Sequence, residues 1–174
     1  MSKKTLTPQT FTEYFGLKLE QSKIDFLDIY ANNDIQLFLD PYGISAMGTS
    51  WSQECETQIA TYFQHLVDCL KHGDKKTVKR MLNALHEVDE ISLGFSSGKP
   101  SGRGIGPQKA EQIKSAFEKS EAVQSGNVRD IADCVLWIEG INRDKVSDIT
   151  ANILKNQLIG FTQKTCRKLK IPME

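Results

Sequence analysis

The chain has 174 residues, the length of one domain or of one domain with a small appendage. A chain of that size buries enough surface to hold a core without a metal or a disulfide. A hydrophobic content of 39% with 25% charged residues excludes a disordered chain, and 22 basic against 22 acidic residues argues against a protein that coats nucleic acid over its whole surface.

Residues 1–12 lack the continuous apolar run of a secretory leader. No stretch approaches the roughly 18 apolar residues that a membrane span needs. The four cysteines, Cys55, Cys69, Cys134 and Cys166, include no CxxC pair. These features lead us to expect a cytoplasmic protein with reduced thiols and no membrane partner.

Charge is unevenly spread along this neutral chain. Residues 1–73 hold five Lys/Arg and nine Asp/Glu, residues 74–120 nine against six, and residues 121–174 eight against seven. Lys155, Lys164, Arg167, Lys168 and Lys170 follow one another with no acid until Glu174. A solvated helix face would carry the same pattern.

In chain order, Thr7-Pro8 can open a short helix with Phe11, Tyr14 and Phe15 on one side. Two β-favouring runs, 25–30 and 34–40, are joined by Asn32-Asn33 and predict a β-hairpin ended by Asp40-Pro41. From Ser50, spaced from Gln53 as a capping box, the period changes. Ile59, Tyr62, Phe63, Leu66, Val67 and Leu70 recur at helical spacing until Gly73, and a second helix carries Val78, Met81, Leu82 and Leu85. Residues 92–107 hold five glycines, two prolines and four serines, which marks a long loop. Pro107 then opens a helix with Ala110, Ile113 and Phe117 on its buried face. Gly126-Asn127 breaks the chain again. Ile131, Val135 and Leu136 mark a short helix, and Val146, Ile149, Ile153 and Phe161 a longer one. The predicted fold is mainly α, a helical bundle with an N-terminal β-hairpin. It forms a single domain over 1–174, with subregions at 1–48 (helix and hairpin), 49–91 (helical pair) and 92–174 (glycine-rich loop and hairpin-containing helices).

Residues 104–117, GIGPQKAEQIKSAF, align with residues 140–153, GINRDKVSDITANI, with Gly, Ile, Lys and Ile in matching places. Each resembles the helix-hairpin-helix motif, in which a Gly-hydrophobic-Gly turn and the helix behind it present backbone amides to a nucleic-acid phosphate. The chemistry is general: glycine permits close approach, and the helix start offers free N–H groups and a favourable dipole. The resemblance assigns Gly104, Ile105, Gly106 and Lys109 in the first copy, and Gly140, Ile141 and Lys145 in the second, with Arg143 nearby. The first copy has the loop where a leading helix belongs, and the second has Asn142 in place of the second glycine. A plain helix-to-helix turn whose Ile plugs the core would show the same residues. Lys99 and Arg103 in the loop add charge, although the loop is neither a Walker loop nor a dinucleotide fingerprint.

Two further constellations carry possible chemistry. His65, Cys69 and His72 share one helix face, but three ligands from one straight helix seldom converge on a tetrahedral ion. Asp25, Asp28, Asp34 and Asp40 on the predicted hairpin could hold Mg²⁺, although the Glu-x-Lys of a restriction-type nuclease is missing. Solvated strand edges account for them more simply. In addition, Leu39-Asp40-Pro41-Tyr42, the glycine loop and Ser147-Asp148-Ile149-Thr150 resemble parts of uncharacterised bacterial proteins associated with phage defence. The expected function is a non-catalytic module that grips DNA backbone without base reading and needs no cofactor or metal. A protein-interaction subunit or fragment of a larger effector, and a metal-dependent nuclease, are the alternatives.

Overall fold

The computed structural model describes residues 9–30, 37–85, 111–112, 114–115 and 143–173. Among these the protein is mainly helical. The helices are α1 (Phe11–Tyr14), α2 (Pro41–Ala46), α3 (Ser50–Lys71), α4 (Lys75–Ala84), α5 (Arg143–Ile153) and α6 (Lys155–Leu169), with a 3₁₀ turn at Gln21–Lys23. The chain divides into two units, one of Met1–Leu37, Asp89–Ser101 and Ile159–Glu174, the other of Phe38–Val88 and Gly102–Leu158.

The second unit is built around α3, which packs against α2, α4 and α5. Its buried face carries Cys55, Ile59, Phe63, Leu66 and Val67, the predicted stripe extended one turn towards the N-terminus. Val78 and Leu82 from α4, Leu85 at its C-cap, and Ile149, Ile153 and Leu154 from the α5 end, close the same core. Fully burying a leucine or isoleucine stabilises a fold by roughly 1.5–3 kcal/mol, so this cluster dominates the unit. Polar ties fix its register: Tyr62 Oη donates to Met81 O at 2.8 Å, and Gln58 Nε2 to Ile153 O at 2.6 Å.

Helix ends depart from the predicted positions in instructive ways. α3 starts one residue early: Thr49 caps it, with Ser52 completing a reciprocal capping box in place of Ser50 and Gln53. The Ser52 N–H donates to Thr49 Oγ1 at 3.1 Å, and the Thr49 N–H to Ser52 Oγ at 2.9 Å. At the other end Gly73 adopts φ +70°, and the N–H groups of Gly73 and Asp74 return to Leu70 O and Cys69 O. That left-handed stop is the one the glycine predicted. Asp40-Pro41 does not end a strand. Asp40 instead accepts from the Tyr42 N–H at 3.0 Å, and Pro41 takes the first position of α2, where its missing N–H costs nothing. The predicted long helix through Ile149, Ile153 and Phe161 is two helices that break at Leu154.

In the first unit the predicted β-hairpin is corrected. Residues 31–36 lie outside the described residues, and neither 25–30 nor 37–40 forms a strand. The pairing goes to α1. A helix leaves its first N–H groups without intrahelical partners. Here Phe11 N donates to Ile29 O at 2.8 Å, Thr12 N to Asp28 Oδ1 at 2.8 Å, and Glu13 N to Thr10 Oγ1 at 3.3 Å. A tight turn, Ile29 N to Leu27 O at 2.9 Å, bends the chain where the strand was expected. One isolated antiparallel bridge, Thr10 with Tyr30, is the only sheet-like pairing among the described residues. Thr10 and Glu13 form the capping box of α1, while Thr7 and Pro8 lie outside the described residues. Phe11 packs on Phe15 and edge-on to Phe26, with ring centroids 4.8 and 5.5 Å apart.

Candidate nucleic-acid interface

Of the residues assigned to the two Gly-Ile turns and the loop, Arg143 and Lys145 are described. Lys99, Arg103, Gly104, Ile105, Gly106, Lys109, Gly140 and Ile141 lie outside the described residues. α5 opens at Arg143, directly behind Gly140-Ile141-Asn142. Arg143 is exposed, two positions beyond Ile141 and at the end of the helix where the dipole favours an anion. Lys145 is half-buried, and its ammonium donates to Asp148 Oδ2 at 2.9 Å, so part of its charge is already balanced within α5.

The opposite side of α5 belongs to the core. Ser147, Ile149, Thr150, Ala151 and Ile153 are buried. Ser147 Oγ accepts from the Leu39 N–H at 2.8 Å, and Thr150 Oγ1 donates back to Val146 O at 2.8 Å. Segments 39–42 and 147–150, quoted above for their resemblance to defence-associated proteins, therefore meet in the structure. After Gly104-Ile105-Gly106 in the sequence, residues 111–112 and 114–115 are helical, and Lys114 Nζ donates to Glu111 Oε1 at 2.7 Å.

The carboxylates of the supposed hairpin are engaged separately. Asp25 pairs with Lys168 at 3.2 Å, and both side chains are largely exposed rather than set in a cleft. Asp40 caps α2, and Asp34 lies outside the described residues. Asp28 accepts from Thr12 N and, at 2.7 Å, from Thr12 Oγ1. Partial burial pushes its carboxyl up, but the Thr12 and Thr10 hydrogen bonds outweigh that and hold it below the ordinary carboxylate range. Sequence reading missed this clasp, since nothing in the spacing of Thr12 and Asp28 announces it.

The helix-face trio is split as well. Cys69 is buried with its Sγ 3.8 Å from His65 Nε2, whereas exposed His72 turns its Nδ1 onto Asp68 O at 2.7 Å. No group of three His, Cys, Asp or Glu placed to hold a metal occurs among the described residues. Cys55 is fully buried, and burial first, then Glu54, pushes its thiol up to about 11. Burial likewise raises the Cys69 thiol. Both are packing groups rather than nucleophiles at neutral pH.

Fold and site together define a mainly helical protein in which a helix carrying exposed Arg143 follows Gly140-Ile141 in the sequence. No helix among the described residues is long and apolar enough to cross a membrane. The chain belongs to the family described as "Domain of unknown function (DUF8370)", whose model matches residues 16–174. No curated protein and no solved structure matches it significantly.

Proposed function

We propose that the chain is a small nucleic-acid-binding module that holds the phosphate backbone of DNA at its two Gly-Ile turns. The observation that carries this reading is that α5, described over Arg143–Ile153 with Arg143 exposed, follows Gly140-Ile141-Asn142 directly in sequence. In this reading the first-turn N–H groups of the helix would serve the phosphate, with the Arg143 charge beside them. The helical residues 111–112 and 114–115 support the same arrangement behind Gly104-Ile105-Gly106. Contacts of this kind position a protein on the duplex without reading its bases. Lys99, Arg103, Lys109 and Lys145 supply further charge in this reading.

Fluorescence anisotropy of labelled duplex and single-stranded DNA across a salt series, with and without Mg²⁺, tests it. Binding is expected to weaken steeply with salt, and a Lys109→Glu/Lys145→Glu double variant to lose at least about tenfold in affinity. Absence of binding even at low salt overturns the proposal and points instead to a protein-docking role for the loop at 92–107.

A further inference from the structure

The last helix shows a regularity that the Gly-Ile turns do not use. Within α6, Gly160, Gln163, Lys164, Arg167 and Lys168 are all exposed, at spacing i, i+3, i+4, i+7 and i+8. They make one continuous outward stripe. Of the residues between them Thr162 is exposed, and Phe161, Thr165 and Cys166 are buried or half-buried, as is Leu169 at the helix end. No acidic residue occurs anywhere in Lys155–Leu169. Asp25 partners Lys168, but among the described residues no ion pair engages Lys164 or Arg167.

Two features of the stripe lack an internal explanation. Cations in the last turn complement the helix dipole, which accounts for Arg167 and Lys168 but not for Lys164 a turn earlier. Gly160 sits in the helix interior, where glycine is less stable than alanine, yet a Cβ there would meet nothing within 4 Å. Nothing among the described residues demands that the side chain be missing. A glycine one turn before paired cations does suit an external backbone that must come close to the helix.

We infer that the exposed face Gly160–Gln163–Lys164–Arg167–Lys168 of α6 is a second contact surface for a nucleic-acid phosphate backbone. Lys164 and Arg167 neutralise phosphates, Gln163 donates to a phosphate or sugar oxygen, and Gly160 admits the strand. A membrane surface fits less well, because the apolar residues of α6 are half-buried or buried and none of them is fully exposed beside the cations. This inference shares its class of partner with the proposed function but does not depend on the Gly-Ile turns.

The test uses the full chain and a labelled duplex oligonucleotide, with polyglutamate and anionic phosphatidylserine vesicles as separate arms. A Lys164→Gln/Arg167→Gln variant is expected to bind about tenfold more weakly, with the salt slope of log K reduced by about 2. Gly160→Met is expected to weaken binding several-fold while its Tm stays level or rises, a pairing that damage to the fold would not produce. Wild-type affinity and slope in Lys164→Gln/Arg167→Gln, with loss in Lys109→Glu/Lys145→Glu, overturn the α6 face and spare the turns. The reverse pattern supports the α6 face and removes the turns. Binding to polyglutamate or vesicles but not to the duplex overturns the inference, as does no binding at all.

Discussion

Asp28 is the residue on which the N-terminal region hinges. Its carboxylate meets a first-turn N–H of α1 and the hydroxyl of buried Thr12. Charge-assisted hydrogen bonds of this kind are worth about 1.5–3 kcal/mol each when desolvated, less where water competes. Because the folded carboxyl lies below its ordinary value, the unfolded chain takes up the proton more readily. The resulting stabilisation is complete above the ordinary carboxylate range and is lost as pH falls through the lowered folded value. Asp28→Asn is therefore expected to lower Tm at neutral pH and to show a shallower fall of Tm on acidification than the parent. Thermal melts at stepped pH from neutral to about 3 check this, and parallel curves for the two proteins would refute it. Little of this could be read beforehand. The alternation in 25–30 is a genuine strand signal, but the donors of a helix only four residues long needed acceptors more than the strand needed a partner.

Among the elements, α3 was legible over nearly its whole length because its apolar stripe repeats through 22 residues and ends at a glycine. α2 was missed because Asp-Pro both ends strands and begins helices, and only packing on α3 decides between them. The break at Leu154 was missed for a related reason: its apolar periodicity does not falter, and Leu154 is fully buried at the break. α6 ends with the same motif as α3, the N–H groups of Lys170 and Ile171 returning to Arg167 O and Cys166 O, but its left-handed residue is Lys170 at φ +56° rather than a glycine. A side chain in that conformation costs roughly 1–2 kcal/mol. Lys170→Gly should remove most of it and raise Tm by about 2–4 °C. A lower Tm would mean that the stem of Lys170 packs on the protein more than its conformation costs.

At the scale of the whole molecule, the candidate site was legible only as a repeat of Gly-Ile sequences, and of its residues the structure describes Arg143 and Lys145 on α5. The balance of 22 basic and 22 acidic residues bears on how any binding is to be measured. A chain with no net charge has little global self-repulsion for salt to relieve. Three ion pairs among the described residues are of a kind that contributes little. Lys168–Asp25 is exposed, and Lys114–Glu111 and Lys145–Asp148 are neighbours on one helix turn. Stability instead rests on the apolar cluster around α3, which added NaCl leaves nearly unchanged. Tm is therefore expected to move by no more than about 2 °C between low salt and 1 M NaCl, where the Debye length falls to roughly 3 Å. Nucleic-acid affinity over the same range should fall by orders of magnitude if the cations of α5 and α6 hold phosphates. Differential scanning fluorimetry run beside the anisotropy titration separates the two. A Tm that dropped in step with affinity would show that salt was unfolding the protein rather than releasing its ligand, and the electrostatic account of binding would fall with it.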